Sequence, residues 1–275
     1  MNDSNILVEV KGLRKSFGPL TVMDGLDFSL LKGENVAILG QSGTGKSVLL
    51  KVIIGLLEPD EGEVSLWGQP ISGMEDAELN SLRRKMGMVF QSGALFDSMT
   101  VFENLAFPLV EHGFDDEEAL RRVVRERLEW VSLPGVEDKY PSELSGGMQQ
   151  RVGLGRALAA DTDVLLMDEA FSALDPLIRR QMQDELMAIQ ARLHKTILFI
   201  THDLNEALRI GNRVCILRDG KVIQIGTPEE ILTEPADGYV AEFVQDVDQG
   251  RVIEVEKVMS EPAVIDPSKT LTECV

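Results

Sequence analysis

The stretch GQSGTGKS, residues 40–47, constrains the fold of this chain more than any other. It follows an apolar run, NVAILG, and leads into a run of helical character, VLLKVIIGLL. A strand that ends in glycines and opens a helix fits the pattern G-x-x-x-x-G-K-[ST] in the context that pattern requires. Glycines permit positive φ, so successive backbone N–H groups turn inward and form an anion nest. The helix N-terminus adds its dipole. Lys46 reaches β- and γ-phosphate oxygens, and Ser47 offers a hydroxyl to Mg²⁺. A glycine turn that only joined strand to helix would leave Lys46 and Ser47 unexplained. Gly40, Ser42, Gly43, Gly45, Lys46, Ser47 and Val48 are therefore candidate nucleotide contacts.

Downstream, VLLMDE (residues 164–169) is a four-residue apolar strand delivering two carboxylates at its C-terminal end. Ligands sit at that end of strands in open α/β sheets. Asp168 is placed to orient the Mg²⁺ shell, usually through water, and Glu169 to face the γ-phosphate and polarise a water. Alone, the two carboxylates would read as a solvated strand end. Between these motifs lies LSGGM, residues 144–148, a second pair of glycines before a helix. Two phosphate-seeking loops share one Lys46. The simplest arrangement is an isologous dimer, each nucleotide held by one subunit's phosphate loop and the other's Ser145, Gly146 and Gly147.

Around these motifs, short apolar strands (LVEVKGL, TVMDGLDFSL, ENVAILG, GEVSLWG) are broken by glycines. Helix-like charged segments dominate residues 74–144. In one of them Leu120, Val123, Val124, Leu128 and Val131 form a stripe at helical spacing, expected as core or subunit interface. From Ser145 onward helices alternate with Val/Ile/Leu-rich strands, which predicts a parallel α/β sheet. NRVCILRDGKVIQIG reads as a hairpin turning at Asp219-Gly220.

Composition narrows the class. The 275 residues are 44% hydrophobic and 27% charged, which suits one or two domains with a real core. No apolar run approaches the ~20 residues of a membrane span, and MNDSNILVEV carries no secretory pattern; a cytoplasmic protein is expected. Cys215 and Cys274 form no CxxC or Cys/His cluster, so neither a disulfide framework nor a zinc site is expected. A net charge of -19 disfavours nucleic acid as a partner.

With these motifs in order, the sequence resembles the ATP-binding cassette (ABC) ATPases over about residues 6–245. The resemblance implies an α/β P-loop NTPase domain with an antiparallel β subdomain and a helical subdomain at about 92–145, using ATP and Mg²⁺. It implies that Phe17 stacks on adenine. Gln91, in VFQSGALF, resembles the Q-loop glutamine, which reaches the metal and water and counts as both catalytic and metal-binding. Residues 144–149 resemble the LSGGQ signature with Met148 inserted before Gln149, which makes Gln149 a nucleotide contact. SALD, residues 172–175, resembles the D-loop at the dimer interface, with Asp175 near the partner's nucleotide. His202, in ITHD, resembles the switch histidine and joins Glu169 as a catalytic residue. The family commonly has proline where this chain has Ala170; no reacting group changes. His112 and His194 lie outside the motifs and are expected at the surface. Gly153 and Gly155, inside the signature helix, each cost about 1 kcal/mol against Ala without an evident reason.

Cargo is read less directly. GQSGTGKSVLLKVIIGLL, VFQSGALFDSMTVFENLAFPL and LPGVEDKYPSELSGG resemble the ATPase of Mla-type phospholipid transporters. LLMDEAFSALDPLIRRQMQDEL, HDLNEALRIGNRV, GTPEEIL and YVAEFVQDVD resemble the ATPase of glycine betaine/proline importers. Residues 246–275 resemble the opening of a CBS domain, a regulatory module of those importers. The second match is the longer and more distinctive. The expected function is the ATP-hydrolysing subunit of a quaternary-amine importer, with the lipid transporter as the alternative. The expected partners are a second copy of the chain, a membrane permease pair and a substrate-binding protein, at the cytoplasmic face of the inner membrane. ABC-type ATPases that act on DNA or ribosomes fit less well, because there is no long insertion, no second cassette and no basic surface.

Overall fold

β1 (Ile6–Phe17) and β2 (Leu20–Leu31) open the chain as a long antiparallel hairpin. Their patterning explains it: Leu26, Phe28 and Leu30 are buried with exposed or half-buried residues between them, the period of a strand covered on one face. The computed structural model describes residues 5–91 and 93–245. The proposed CBS-like tail, 246–275, therefore lies outside the described residues, as does Cys274.

β4 (Glu61–Leu66) and the short β5 (Gln69–Pro70) complete an antiparallel sheet of order β2-β1-β4-β5. β3 (Asn35–Leu39) belongs to a second sheet with β6 (Met86–Val89), β7 (Val164–Asp168), β8 (Thr196–Thr201), β9 (Arg213–Arg218) and β10 (Lys221–Gly226). Its order is β10-β9-β3-β8-β7-β6, parallel except for the β9–β10 hairpin. The hairpin turns at Asp219 and Gly220, with φ of 49° and 75°, as a tight turn with two left-handed residues requires.

Central strands β3, β7 and β8 are buried on both faces, and alternate residues feed two different cores. Val36, Ile38, Leu166, Leu198 and Ile200 join the antiparallel sheet and helix α1 (Lys46–Ile53). Ala37, Leu39, Leu165, Met167, Ile197 and Phe199 join the helices on the other side. Those include α3 (Val101–Glu111), α4 (Glu117–Trp130), α5 (Gly146–Ala159) and α6 (Pro176–Leu193). The stripe on α4 is core as expected: Leu120, Val124, Leu128 and Val131 are buried, and Val123 is half-buried.

The helix-like texture expected over residues 74–144 needs correction. α2 (Asp76–Arg83), α3 and α4 are there, but β6 is inserted among them and pairs with β7 at the sheet edge. Four residues, MGMV, are too few to show a period. Gly87 decides the placement: a Cβ there would strike the Ala157 carbonyl oxygen and come within 3.1 Å of Thr162 Oγ1. Glycine lets the end of α5 press against the strand.

Candidate functional site

The phosphate loop forms between β3 and α1 as its residues demand. Gly43 and Gly45 take φ of 84° and 90°, the left-handed region glycine adopts without penalty. Gly45 is also confined: a Cβ would lie 2.6 Å from atoms of Val22 and Met23. A Cβ on Gly40 would lie 2.8 Å from the Leu217 carbonyl. No side chain caps α1, whose N-cap is Gly45 itself. Ser42 is exposed on the loop and Val48 packs half-buried behind it.

Lys46 is 5% exposed, and its ammonium donates to the Gly40 and Gln41 carbonyls at 2.8 and 2.9 Å. Burial lowers its pKa, opposed by the carboxylates of Glu169 and Asp168. Ser47 Oγ donates to Asp168 Oδ1 at 3.0 Å, so the helix start meets the end of β7. Burial raises the pKa of Asp168, against the Ser47 hydrogen bond, and the neighbouring Glu169 charge raises it further. A hydroxyl and a carboxylate this close are hard oxygen donors of the kind Mg²⁺ takes, with phosphates and waters filling the rest of its shell. Among the described residues no cluster of three or more His, Cys, Asp or Glu could hold a metal by itself. The residues present thus fit a magnesium ion shared with phosphate.

Glu169 follows Asp168 with φ of 46°, left-handed for a residue with a side chain. Such backbone costs on the order of 1–3 kcal/mol and persists where surrounding structure over-determines it. Here the Glu169 N–H donates to the Ile200 carbonyl at 3.1 Å and the Ser172 N–H to the Glu169 carbonyl at 3.1 Å. The turn points the carboxylate to two neighbours: Oε1 is 3.9 Å from Lys46 Nζ and Oε2 is 3.3 Å from His202 Nδ1. His202 leaves β8 as Glu169 leaves β7, and the strands are adjacent in the sheet.

Gln91 reaches this group through the D-loop. Its Nε2 donates to Ser172 Oγ at 2.8 Å, and Ser172 Oγ donates to the Glu169 carbonyl at 2.8 Å. Its amide nitrogen thus points to the D-loop rather than to the Ser47–Asp168 pair. Phe17 ends β1 opposite Leu20 with its ring about half exposed. Val22 and Met23, a few residues along β2, abut Gly45, so the hairpin tip stands beside the phosphate loop.

The signature segment differs in one respect from the sequence expectation. Ser145 caps α5, accepting the Met148 N–H at 3.4 Å, and the helix runs unbroken from Gly146. Met148 is therefore an ordinary helical position with no bulge around an inserted residue. Gln149 turns back on its own chain, donating to the Pro141 and Leu144 carbonyls at 2.8 and 3.4 Å. That contact orders the loop before the helix and does not present Gln149 outward. Gly146 and Gly147 open the helix beside Ser145, outside the Lys46 group. Asp175, likewise, caps α6 by accepting the Leu177 and Ile178 N–H groups at 3.1 Å.

Sequence reasoning missed what α5 does for the Q-loop. Gln150 donates to the Phe90 carbonyl at 3.0 Å, and Arg156 donates to the Gly93 carbonyl at 3.1 Å. Between them, a Cβ on Gly153 would lie 3.0 Å from Gly93 O. Positions 150, 153 and 156 share a helix face, so the spacing was visible and the partner was not. Gly153 is explained by that close approach. A Cβ on Gly155 would meet Leu105 at 3.4 Å, an ordinary contact. Beside this clamp, a groove of about 530 Å³ is lined by Arg83, Arg84, Phe90, Phe96, Phe107 and His112 among others. His112 and His194 are exposed, as expected.

Residues 23–172, more than half of the chain, match the ABC transporter family. The chain belongs to that family. The fold of this ABC protein agrees: it superposes on the ATP-binding cassette MJ0796, solved as a dimer bound to ADP and Pi, with a TM-score of 0.74. The two are 33% identical, over 81% of this chain and 99% of that one. The glycine betaine/carnitine transport ATP-binding protein GbuA of Listeria monocytogenes is 48% identical over 256 residues, 93% of this chain. The trimethylamine N-oxide transport system ATP-binding protein TmoW of Pelagibacter ubique is 43% identical over 263 residues, 95% of this chain and 76% of TmoW. The chain spans 64% of the length of GbuA. These alignments run through the N-terminal half as well as the C-terminal half. The expected division, with a lipid-transporter-like first half, finds no support in them. Among the described residues, no helix is long and apolar enough to cross a membrane.

Proposed function

We propose that this chain is the ATP-hydrolysing subunit of an importer for glycine betaine or a similar small quaternary amine. Its ATPase role is carried by one observation: Glu169 lies between Lys46 and His202, at 3.9 and 3.3 Å, where the phosphate loop meets the ends of β7 and β8. The cargo reading rests on the likeness to betaine-transport relatives over nearly the whole chain.

In this reading Phe17 stacks on the adenine, and the nest of residues 40–48 takes the phosphates. Ser47 and Asp168 would hold a magnesium ion, which when bound would neutralise charge on the phosphate oxygens; Gln91, whose amide meets Ser172 here, would have to turn from the D-loop to reach it. Glu169 orients a water and accepts its proton, and His202 holds the γ-phosphate side. Two copies enclose two nucleotides, each completed by the partner's 145–147 loop, with Gln149 and Asp175 ordering the loops that cross. Residues 6–245 form the cassette and about 92–145 its helical subdomain, whose groove meets a permease at the cytoplasmic face of the membrane. A substrate-binding protein delivers the cargo.

The test is reconstitution of the chain with the membrane subunits that co-purify from its native membranes. Glycine betaine, with its binding protein, should stimulate ATP hydrolysis and drive uptake into the vesicles. Stimulation by phospholipid and not by betaine would overturn the cargo, and no hydrolysis at all would overturn the ATPase role.

A further inference from the structure

Arg179 is the fourth residue of α6, one turn beyond the D-loop. Its Nη2 donates to the carbonyls of Ser172 and Leu174, at 3.3 and 3.1 Å, inside that loop. Its Nη1 lies 3.5 Å from Asp203 Oδ2, the residue directly after His202. Its Nε is buried and has no hydrogen-bond partner, so the guanidinium is held by its two ends alone. Asp203 is equally fixed. Oδ1 caps α7 (Leu204–Ile210), accepting the Asn205 and Glu206 N–H groups at 2.9 and 3.4 Å, which leaves Oδ2 for Arg179.

These contacts close a ring. Glu169 meets His202, whose neighbour Asp203 meets Arg179; Arg179 holds the Ser172 carbonyl, and Ser172 Oγ returns to the Glu169 carbonyl. A planar fork spans two carbonyls and a carboxylate at once, which a lysine ammonium does not.

We propose that Arg179 is a positioning residue that ties the D-loop to the switch histidine, so that docking of the D-loop against a partner subunit sets His202 over its own γ-phosphate. The inference rests on the dimeric ATPase reading above. The D-loop faces the other subunit's nucleotide and His202 its own, so this strut makes each site respond to occupancy of the other. Coupling of two sites requires an element that both bias; the Arg179 fork is that element.

The experiment compares the full-length chain with Arg179→Met, Arg179→Lys and Asp203→Asn. Asparagine caps a helix as aspartate does, so Asp203→Asn removes the charge and leaves α7 in place should Arg179→Met fold poorly. Hydrolysis against ATP concentration should be sigmoidal in the parent, with a Hill coefficient toward about 2, the number of sites. Arg179→Met and Asp203→Asn should bring it to about 1 and lower kcat roughly ten- to hundredfold, with binding of ADP unchanged. Arg179→Lys should recover part of kcat and little of the Hill coefficient. In a Glu169→Gln background, ATP should still dimerise both parent and Arg179→Met. Amide exchange over residues 200–206 should then slow in the parent only. A parent-like Hill coefficient and equal protection in the variants overturn the strut while the ATPase reading stands. Failure of the Glu169→Gln chain to dimerise with ATP takes both down.

Discussion

Ser47 Oγ donates to Asp168 Oδ1 at 3.0 Å across 121 positions of sequence. One residue lies at the start of α1, the helix that follows β3, and the other ends β7; β3 and β7 flank β8 in the same sheet. The contact ties the start of α1 to the end of β7, and Glu169, one residue further, brings its Oε1 within 3.9 Å of Lys46 Nζ.

Lys46→Ala should weaken ATP binding roughly ten- to hundredfold, the loss of a charge-assisted hydrogen bond. The ammonium also holds the Gly40 and Gln41 carbonyls, so the loop loses its internal tie as well. Titration calorimetry with ATP checks this; parent-like affinity would remove Lys46 from the site.

Glu169→Gln should lower turnover about 10²–10⁴-fold, the usual share of a positioned base, and leave ATP bound in a dimer. The left-handed backbone at 169 is set by its hydrogen bonds to Ile200 and Ser172, which an isosteric amide keeps. Size exclusion with and without ATP reads the dimer, and phosphate release reads the turnover. Hydrolysis at the parent rate would mean another group takes the proton.

Gly87→Ala should destabilise the fold by about 1–3 kcal/mol, because the added methyl meets the Ala157 backbone carbonyl, which cannot swing away. For a chain of this size that is about 2–4 °C of melting temperature per kcal/mol. An unchanged melting curve would show that the β6–α5 contact yields to a methyl group without cost.

Glu206 supplies the pH dependence. It is 7% exposed, accepts from Gln183 at 3.3 Å and from Thr201, and burial raises its pKa above the ordinary 4.5. As pH rises from about 4.5, the unfolded chain loses that proton first while the folded chain keeps it, so stability falls through the window up to the raised folded value. Glu206→Gln has no proton to lose. Its melting temperature should gain on the parent's as pH rises from 4.5 toward neutral, and match it in trend below. Curves that stay parallel across that window would show that Glu206 ionises in the fold without penalty.

Much of the site was legible because its signals are local. GQSGTGKS dictates its own backbone, and VLLMDE declares a buried strand with carboxylates at its end. Asp219-Gly220 marks a hairpin for the same reason, since few residues accept two left-handed positions in succession. β6 was hidden because four residues carry no period. Gln149, expected from its motif as a nucleotide contact, turns back on its own chain, because the Pro141 and Leu144 carbonyls stand within its reach. No spacing announces such a partner.

By itself, then, the sequence determined the longer elements, the parallel sheet and the residue types suited to phosphate, since propensity, period and turn chemistry act over a few residues. Only the tertiary structure decided which of those residues touch. The Gln150–Arg156 face of α5 against the Q-loop, and the ring joining Glu169, Ser172, Arg179, Asp203 and His202, unite segments from separate strands and helices. Their geometry follows from how sheet and helices pack, and packing is a property of the whole chain.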